Sequence, residues 1–160
     1  MAENTVAVAG GSGFIGGVIV SRIAAMPSMR VRVLTRSPDR ARTSLAAPNV
    51  EFVRAEVTDP ATLAAALTGA NAIVNTVQFE GYPIENPARG LTFERIDFGG
   101  TVALLDAARA AGVNRFIYIS GAAADESSTH PGFGAKGRAE RAVRESGLTY
   151  TIFRPSLVYG

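Results

Sequence analysis

Seven residues near the N-terminus, Gly10-Gly11-Ser12-Gly13-Phe14-Ile15-Gly16, have the types and spacing that suit an anion. The glycines at 10, 13 and 16 fit the pattern G-x-x-G-x-x-G. In such a turn the first glycine permits a tight bend, and the second lets backbone approach a pyrophosphate. The third lets a helix pack close to a strand. The segment follows an apolar run, Thr5-Val6-Ala7-Val8-Ala9, and opens a stretch of helical periodicity. Its free N–H groups and the helix dipole would therefore face an anionic ligand. The context points to phosphate or dinucleotide binding. The plain alternative is a glycine turn that serves packing alone.

The end of the second apolar run bears on which dinucleotide is bound. Sites that prefer NAD hold an acid there for the ribose 2′-OH. Here stands Thr35-Arg36-Ser37, with no acid until Asp39. A guanidinium at that point can pair with a 2′-phosphate. Arg36 predicts NADP(H) as the preferred cofactor, with NAD(H) second; a solvated surface arginine is the alternative. The basic residues number 16, and only Lys136 among them is lysine. A chain that otherwise writes arginine keeps one lysine, a compact point charge that arginine does not reproduce.

These residues need elements to position them. The chain has 160 residues, 47% of them hydrophobic and 19% charged, which excludes disorder, collagen and coiled coil. A length of 160 predicts one domain, 1–160. No apolar run approaches the roughly 20 residues of a membrane span, and the acid-bearing N-terminus does not read as a signal peptide. There are no cysteines, which excludes disulfides and thiolate metal sites and fits a cytoplasmic location. No metal site is expected. The net charge of +2 is too mild to indicate nucleic acid.

Runs rich in β-branched residues at 5–9, 30–35, 50–54, 71–77, 115–120 and 149–153 read as strands. Between them lie helical patterns: Ile15, Val18, Ile19, Ile23 and Met26 before Pro27; a helix capped by Ser37-Pro38; then 60–67, 94–111 and 136–146. Residues 78–93 and 121–133 read as loops. Strict alternation predicts an α/β, doubly wound parallel sheet of Rossmann type, strand order 3-2-1-4-5-6. Gly100, Ala103, Ala107 and Ala111 make a small-residue face on helix 94–111, a candidate pairing surface.

The chain resembles the short-chain dehydrogenase/reductase superfamily, in its extended and atypical branch. That branch includes NAD-dependent epimerase/dehydratases, NmrA-like proteins and the Rossmann accessory subunit of respiratory complex I. The residues that carry the likeness are 8–16, Leu34-Thr35-Arg36, Glu56-Val57-Thr58-Asp59, Gly100-Thr101, 115–120 and 154–160. By resemblance, Glu56 and Val57 lie beside the adenine, where the family usually has Asp and an apolar residue. Asn75, Thr76 and Val77 line the cofactor, and Pro155 faces the nicotinamide. The resemblance implies a homodimer through helices 94–111 and 136–146. It also puts most of a small-molecule substrate pocket in chain beyond the sixth strand, so a longer native protein is expected.

The family's chemistry uses a Tyr four residues before a Lys, where the Lys charge lowers the phenol's pKa. Lys136 fits the lysine, which by resemblance also holds the nicotinamide ribose; Gly132 stands where the Tyr belongs. Ser120 is a candidate for the family's hydroxyl, whose usual position is Gly121; Ser127, Ser128 and Thr129 are further hydroxyls. Asp97 replaces a supporting Asn, and His130, the single His, is the remaining acid. The expectation is a dinucleotide-binding protein whose Tyr-dependent chemistry is lost, acting as sensor, assembly factor or structural subunit. The alternative is an NADP(H)-dependent oxidoreductase or epimerase working through Lys136. A mononucleotide- or flavin-binding scaffold fits the glycine spacing less well.

Overall fold

The computed structural model describes residues 4–159; Met1, Ala2, Glu3 and Gly160 lie outside them, and with them Glu3, the acid of the N-terminal stretch, and the last residue of 154–160. Six parallel strands form one sheet in the order β3-β2-β1-β4-β5-β6. They are β1 (Asn4–Ala9), β2 (Met29–Thr35), β3 (Val50–Arg54), β4 (Ala72–Asn75), β5 (Arg115–Ile119) and β6 (Thr149–Phe153). The helices are α1 (Phe14–Ala24), α2 (Pro38–Leu45), α3 (Pro60–Leu67), α4 (Gly100–Ala110) and α5 (Pro131–Glu145). The expected topology is the observed one.

Alternation along the strands builds a core on each face. On β1, Val6 and Val8 join Val31, Val33 and Val74 under α1, while Ala7 and Ala9 join Leu63, Leu67, Leu104 and Phe116 on the face of α3, α4 and α5. Arg32 points to the second face, where its guanidinium donates to the carbonyls of Ala66 (3.0 Å) and Thr68 (2.7 Å). That closes the end of α3, which lacks a basic residue in its last turn.

Several expectations shift. Helix α1 ends at Ala24 and turns inward on Gly16 and Val20; Val18 and Met26 are exposed. Strand β4 is shorter than 71–77, because Asn75 Oδ1 accepts from the Val77 N–H at 3.0 Å and ends the ladder with a local turn. The helix expected over 94–111 is two pieces: a π-helical segment, Phe93–Gly99, feeds α4. Helix α5 starts five residues before Lys136, with Pro131 in the first turn and the His130 ring as its cap. Loop 121–130 lies against it so closely that a Cβ at Gly137 would come within 2.1 Å of the Glu126 nitrogen. The small-residue face of α4 is turned inward. Gly100 sits against Val57, Ala107 is in the core, and Ala103 and Ala111 pack on it, so this face is used within the chain.

Candidate functional site

The carboxyl ends of all six strands open into one cavity of about 1190 Å³. It spans the crevice between β1 and β4, where the strand order reverses and ligands of open α/β sheets bind. Its size exceeds the roughly 300–1,000 Å³ of a drug-sized site, so it suits an extended ligand.

After β1 come Gly10, Ser12, Gly13, Phe14, Ile15 and Gly16, all lining the cavity. Gly10 has φ +78°, a conformation that excludes side chains, and a Cβ there would lie 2.8 Å from Thr76 Oγ1. A Cβ at Gly16 would stand 2.2 Å from the Gly10 carbonyl oxygen, so the third glycine lets α1 close on the turn. No side chain caps α1, and its first turn holds no acid. Its unpartnered N–H groups and positive dipole end are left to an anion. Gly11 does not line the cavity. It is buried beneath the turn, where a Cβ would crowd Val33, Val20 and the Val8 carbonyl at 3.1–3.2 Å.

After β2 come Thr35, Arg36, Ser37 and Arg40. Arg36 is exposed at the edge of the cavity. Asp39 is not among the lining residues; it pairs with Arg42 at 3.0 Å. After β3, Glu56 and Val57 line the same side, with the Glu56 carboxylate accepting from the Thr58 hydroxyl at 2.9 Å. After β4, Thr76 and Val77 form the middle of the floor. The Thr76 hydroxyl donates to the Ala9 carbonyl at 2.9 Å, which ties β4 to β1 at the crevice. Asn75 is buried outside the cavity and braces it. Its Nδ2 donates to Thr101 Oγ1 at 2.9 Å, and that hydroxyl donates to the Asp97 carbonyl at 2.6 Å.

The far end holds Lys136, Ser120, Gly121, His130, Gly132 and Pro155. Lys136 is almost fully buried. Its Nζ lies 3.1 Å from Asp97 Oδ1, in a pair whose side chains are 8% and 0% exposed. The contact is an ion pair, and no described residue donates a hydrogen bond to Asp97 Oδ2. Burial pushes the Asp97 carboxyl above the ordinary carboxylate value, and the Lys136 charge offsets part of that rise. The buried Tyr118 hydroxyl, also without a hydrogen-bond partner among the described residues, is pushed up by desolvation.

Ser120 does not present a free hydroxyl proton. It donates to Glu140 Oε1 at 2.6 Å. Glu140, fully buried on α5, also accepts from Arg154 Nε at 2.7 Å and from a second Arg154 nitrogen, and from Arg144 at 2.7 Å. Desolvation works upward on this carboxyl, but hydrogen bonds from Arg154, Ser120 and Arg144 outweigh it and hold it below its ordinary value. The cluster fastens the end of β5, α5 and the Arg154-Pro155 turn together, and so places Pro155 on the cavity. Sequence reading missed it, because Glu140 sits among arginines that look like a solvated face. The legible signal was the stripe Gly132, Lys136, Glu140 and Val143 at helical spacing.

Gly132 offers no proton donor, and its space is taken. A Cβ there would lie 2.9 Å from Phe93 Cε1. Gly121 differs: the nearest heavy atom to a Cβ there is Lys136 Cδ at 3.7 Å. His130 lines the cavity with its Nδ1 accepting from the Gly132 N–H at 3.2 Å. Ser127, Ser128 and Thr129 are not cavity residues.

Residues 10–159 match the model of a family described as NAD(P)H-binding. An uncharacterized sugar epimerase of Bacillus subtilis is 31% identical over 155 residues, 91% of this chain and 68% of that protein. Among solved structures, the Citrobacter sp. triphenylmethane reductase complexed with NADP(H) is 25% identical with a TM-score of 0.74, over 96% of this chain and 50% of that one. The Bordetella bronchiseptica enzyme WbmH in complex with NAD+ is 20% identical with a TM-score of 0.78, over 98% and 57%, a likeness of fold. The chain spans 44% to 68% of the length of curated relatives that match at least 91% of it.

Proposed function

The chain belongs to the NAD(P)H-binding family, and from this premise we propose that it binds NADP(H) in preference to NAD(H). One observation carries the preference: the edge of the cavity at the end of β2 presents Arg36 and no acid. Gly10, Ser12, Gly13, Phe14, Ile15 and Gly16 would hold the pyrophosphate against the α1 N-terminus. Arg36 would pair with the 2′-phosphate, as a guanidinium does with a doubly charged oxyanion. Glu56 and Val57 would flank the adenine, and Thr76, Val77, Lys136 and Pro155 the nicotinamide half. The glycine cradle fits such a group, since its backbone approaches are ones that a Cβ would close.

When bound, the dinucleotide supplies hydride chemistry. On this reading Lys136, Ser120 and Gly132 would orient the ligand rather than protonate it. Lys136 pairs with Asp97, the Ser120 hydroxyl donates its hydrogen bond to Glu140, and position 132 has no side chain. On this reading the Tyr-dependent chemistry is lost. A second reading, an NADP(H)-dependent oxidoreductase or epimerase acting through Lys136 with its substrate pocket completed by further chain, is supported by the place of Lys136 in the cavity wall. Among the described residues, no helix is long and apolar enough to cross a membrane. A cytoplasmic location belongs to the same proposal.

Calorimetric titration with NADPH and with NADH tests the preference. The expected result is NADPH binding tighter by tenfold or more, the worth of one charge-assisted hydrogen bond of about 1.5–3 kcal/mol. Equal affinities would contradict it.

A further inference from the structure

His130 is held more firmly than an exposed residue at the end of a loop requires. Its backbone N–H donates to the Ser128 hydroxyl at 3.2 Å, and its carbonyl accepts from the Gly134 N–H at 2.9 Å. Its ring caps α5, with Nδ1 accepting from the Gly132 N–H at 3.2 Å. The ring lies against Phe133, the centroids 4.3 Å and the planes 28° apart, and meets Phe93 edge-on at 6.3 Å. Three hydrogen bonds and two ring contacts thus fix an imidazole that lines the cavity. Serine, threonine, asparagine or aspartate would cap the helix as well, so the cap alone does not call for histidine.

The cap also sets the tautomer. With Nδ1 accepting, the neutral ring carries its proton on Nε2. Among the described residues that N–H has no acceptor, and it is left to a ligand. The neighbouring groups are engaged otherwise. Position 132 has no side chain, the Ser120 hydroxyl donates to Glu140, and the Lys136 ammonium pairs with Asp97. Phe93 fills the space that a side chain at 132 would enter, and the His130 ring adjoins Phe93. The imidazole therefore stands beside the place that a phenol on α5 would have taken.

We propose that His130 is a substrate-binding donor, whose Nε2–H holds the oxygen of a carbonyl compound at this end of the cavity. A neutral imidazole can polarise a carbonyl through such a bond. The proposal rests on the NADP(H) reading and gives its oxidoreductase form the donor that position 132 lacks. A carbonyl carbon that takes the hydride of the reduced dinucleotide gains a C–H bond and passes its π pair to the oxygen. The Nε2–H holds that oxygen while water protonates it. An alcohol and the oxidised dinucleotide result.

The test uses the whole chain saturated with NADP+, where no turnover occurs, and acetophenone as the probe. Because the chain has one His, nitrogen NMR of the histidine-labelled protein reads this ring alone. The spectrum should show a protonated Nε2 and an unprotonated Nδ1. Acetophenone should shift the Nε2 resonance; ethylbenzene, a similar frame without the oxygen, should not. In calorimetry His130→Asn, which can still cap α5, should bind acetophenone about tenfold more weakly at unchanged NADP+ affinity. His130→Gln, whose amide reaches about as far as Nε2, should recover most of that loss. An Nε2 resonance indifferent to acetophenone would overturn the proposal. So would a lower melting temperature of His130→Asn with acetophenone affinity intact, which would make the ring a cap alone. A loss that appears in Tyr82→Phe instead, at the other donor lining this end, would overturn it too. Failure of NADP+ to bind, with the acetophenone response intact in the free chain, would count against the cofactor reading instead.

Discussion

The ring of Phe93 stands in the space that a side chain at Gly132 would enter, with Cε1 at 2.9 Å and Cζ at 3.0 Å from a Cβ built there. Phe93 is 4% exposed and wedged between Phe79 and Tyr82, so it has little room to yield. The glycine that replaces the expected tyrosine is therefore part of a repacked pocket. An aromatic ring from the π-helical segment fills what a phenol on α5 would have occupied.

Restoring the tyrosine should fail for that reason. Gly132→Tyr is expected to destabilise the fold by about 1–3 kcal/mol through overpacking. Adding Phe93→Ala should recover part of the loss, as a double-mutant cycle in chemical denaturation would show. Gly121→Ser, with 3.7 Å to its nearest neighbour, should change stability by no more than about 0.5 kcal/mol.

Arg36 is exposed and can be changed without touching the core. Arg36→Asp should lower NADPH affinity by about ten- to a hundredfold while leaving NADH binding equal or tighter. Calorimetry of the variant with both dinucleotides measures this. A loss shared equally by the two would mean that Arg36 does not read the 2′-phosphate.

Glu140 binds Ser120, Arg154 and Arg144 from full burial, and its carboxyl is held below the ordinary value. A depressed folded-state pKa contributes stability that is complete above the ordinary Glu value of about 4.3 and is lost as pH falls through the lower, folded value. Glu140→Gln should cost roughly 3 kcal/mol at neutral pH and flatten that acid limb. Urea denaturation across the acidic range, on both proteins, would show whether the difference between them shrinks as pH falls.

Asp97 has the opposite sign. Its carboxyl is raised by burial, so the protonated form favours the folded state, and the associated stability falls as pH rises through the raised value. Lys136→Met removes the offsetting charge and should cost roughly 3 kcal/mol at neutral pH. Stability of the variant should then fall with rising pH by up to about 1.4 kcal/mol per unit over the interval in which Asp97 ionises. Melting curves of Lys136→Met and of Lys136→Met with Asp97→Asn should diverge as pH rises.

Much of the fold was legible because strand and helix periods alternate cleanly. Val50–Arg54, Pro60–Leu67 and Thr149–Phe153 coincide with the segments read as elements, and the sheet order follows from the first glycine turn. The glycine turn was legible because backbone geometry there demands glycine, and the place of Arg36 at the cavity edge follows from its position just after β2. What escaped lies at close approaches between distant segments. Gly132 read as loop and Gly134 lay ahead of the helix expected from Lys136, yet both stand in the first turns of α5, accommodated against Phe93 and the Ser128 carbonyl. Asp97 is seen to pair with Lys136 only once the π-helical segment turns it inward. Glu140 owes its role to Ser120 and Arg154, which lie 20 and 14 residues away along the chain.

The most direct test of the central claim avoids the nicotinamide half altogether. Calorimetric titration of the chain with 2′-phospho-ADP-ribose and with ADP-ribose isolates the glycine cradle and Arg36. The account predicts binding of both, with the 2′-phosphorylated form tighter by about tenfold or more. Equal affinity would contradict the role given to Arg36, and binding of neither would contradict the cradle itself.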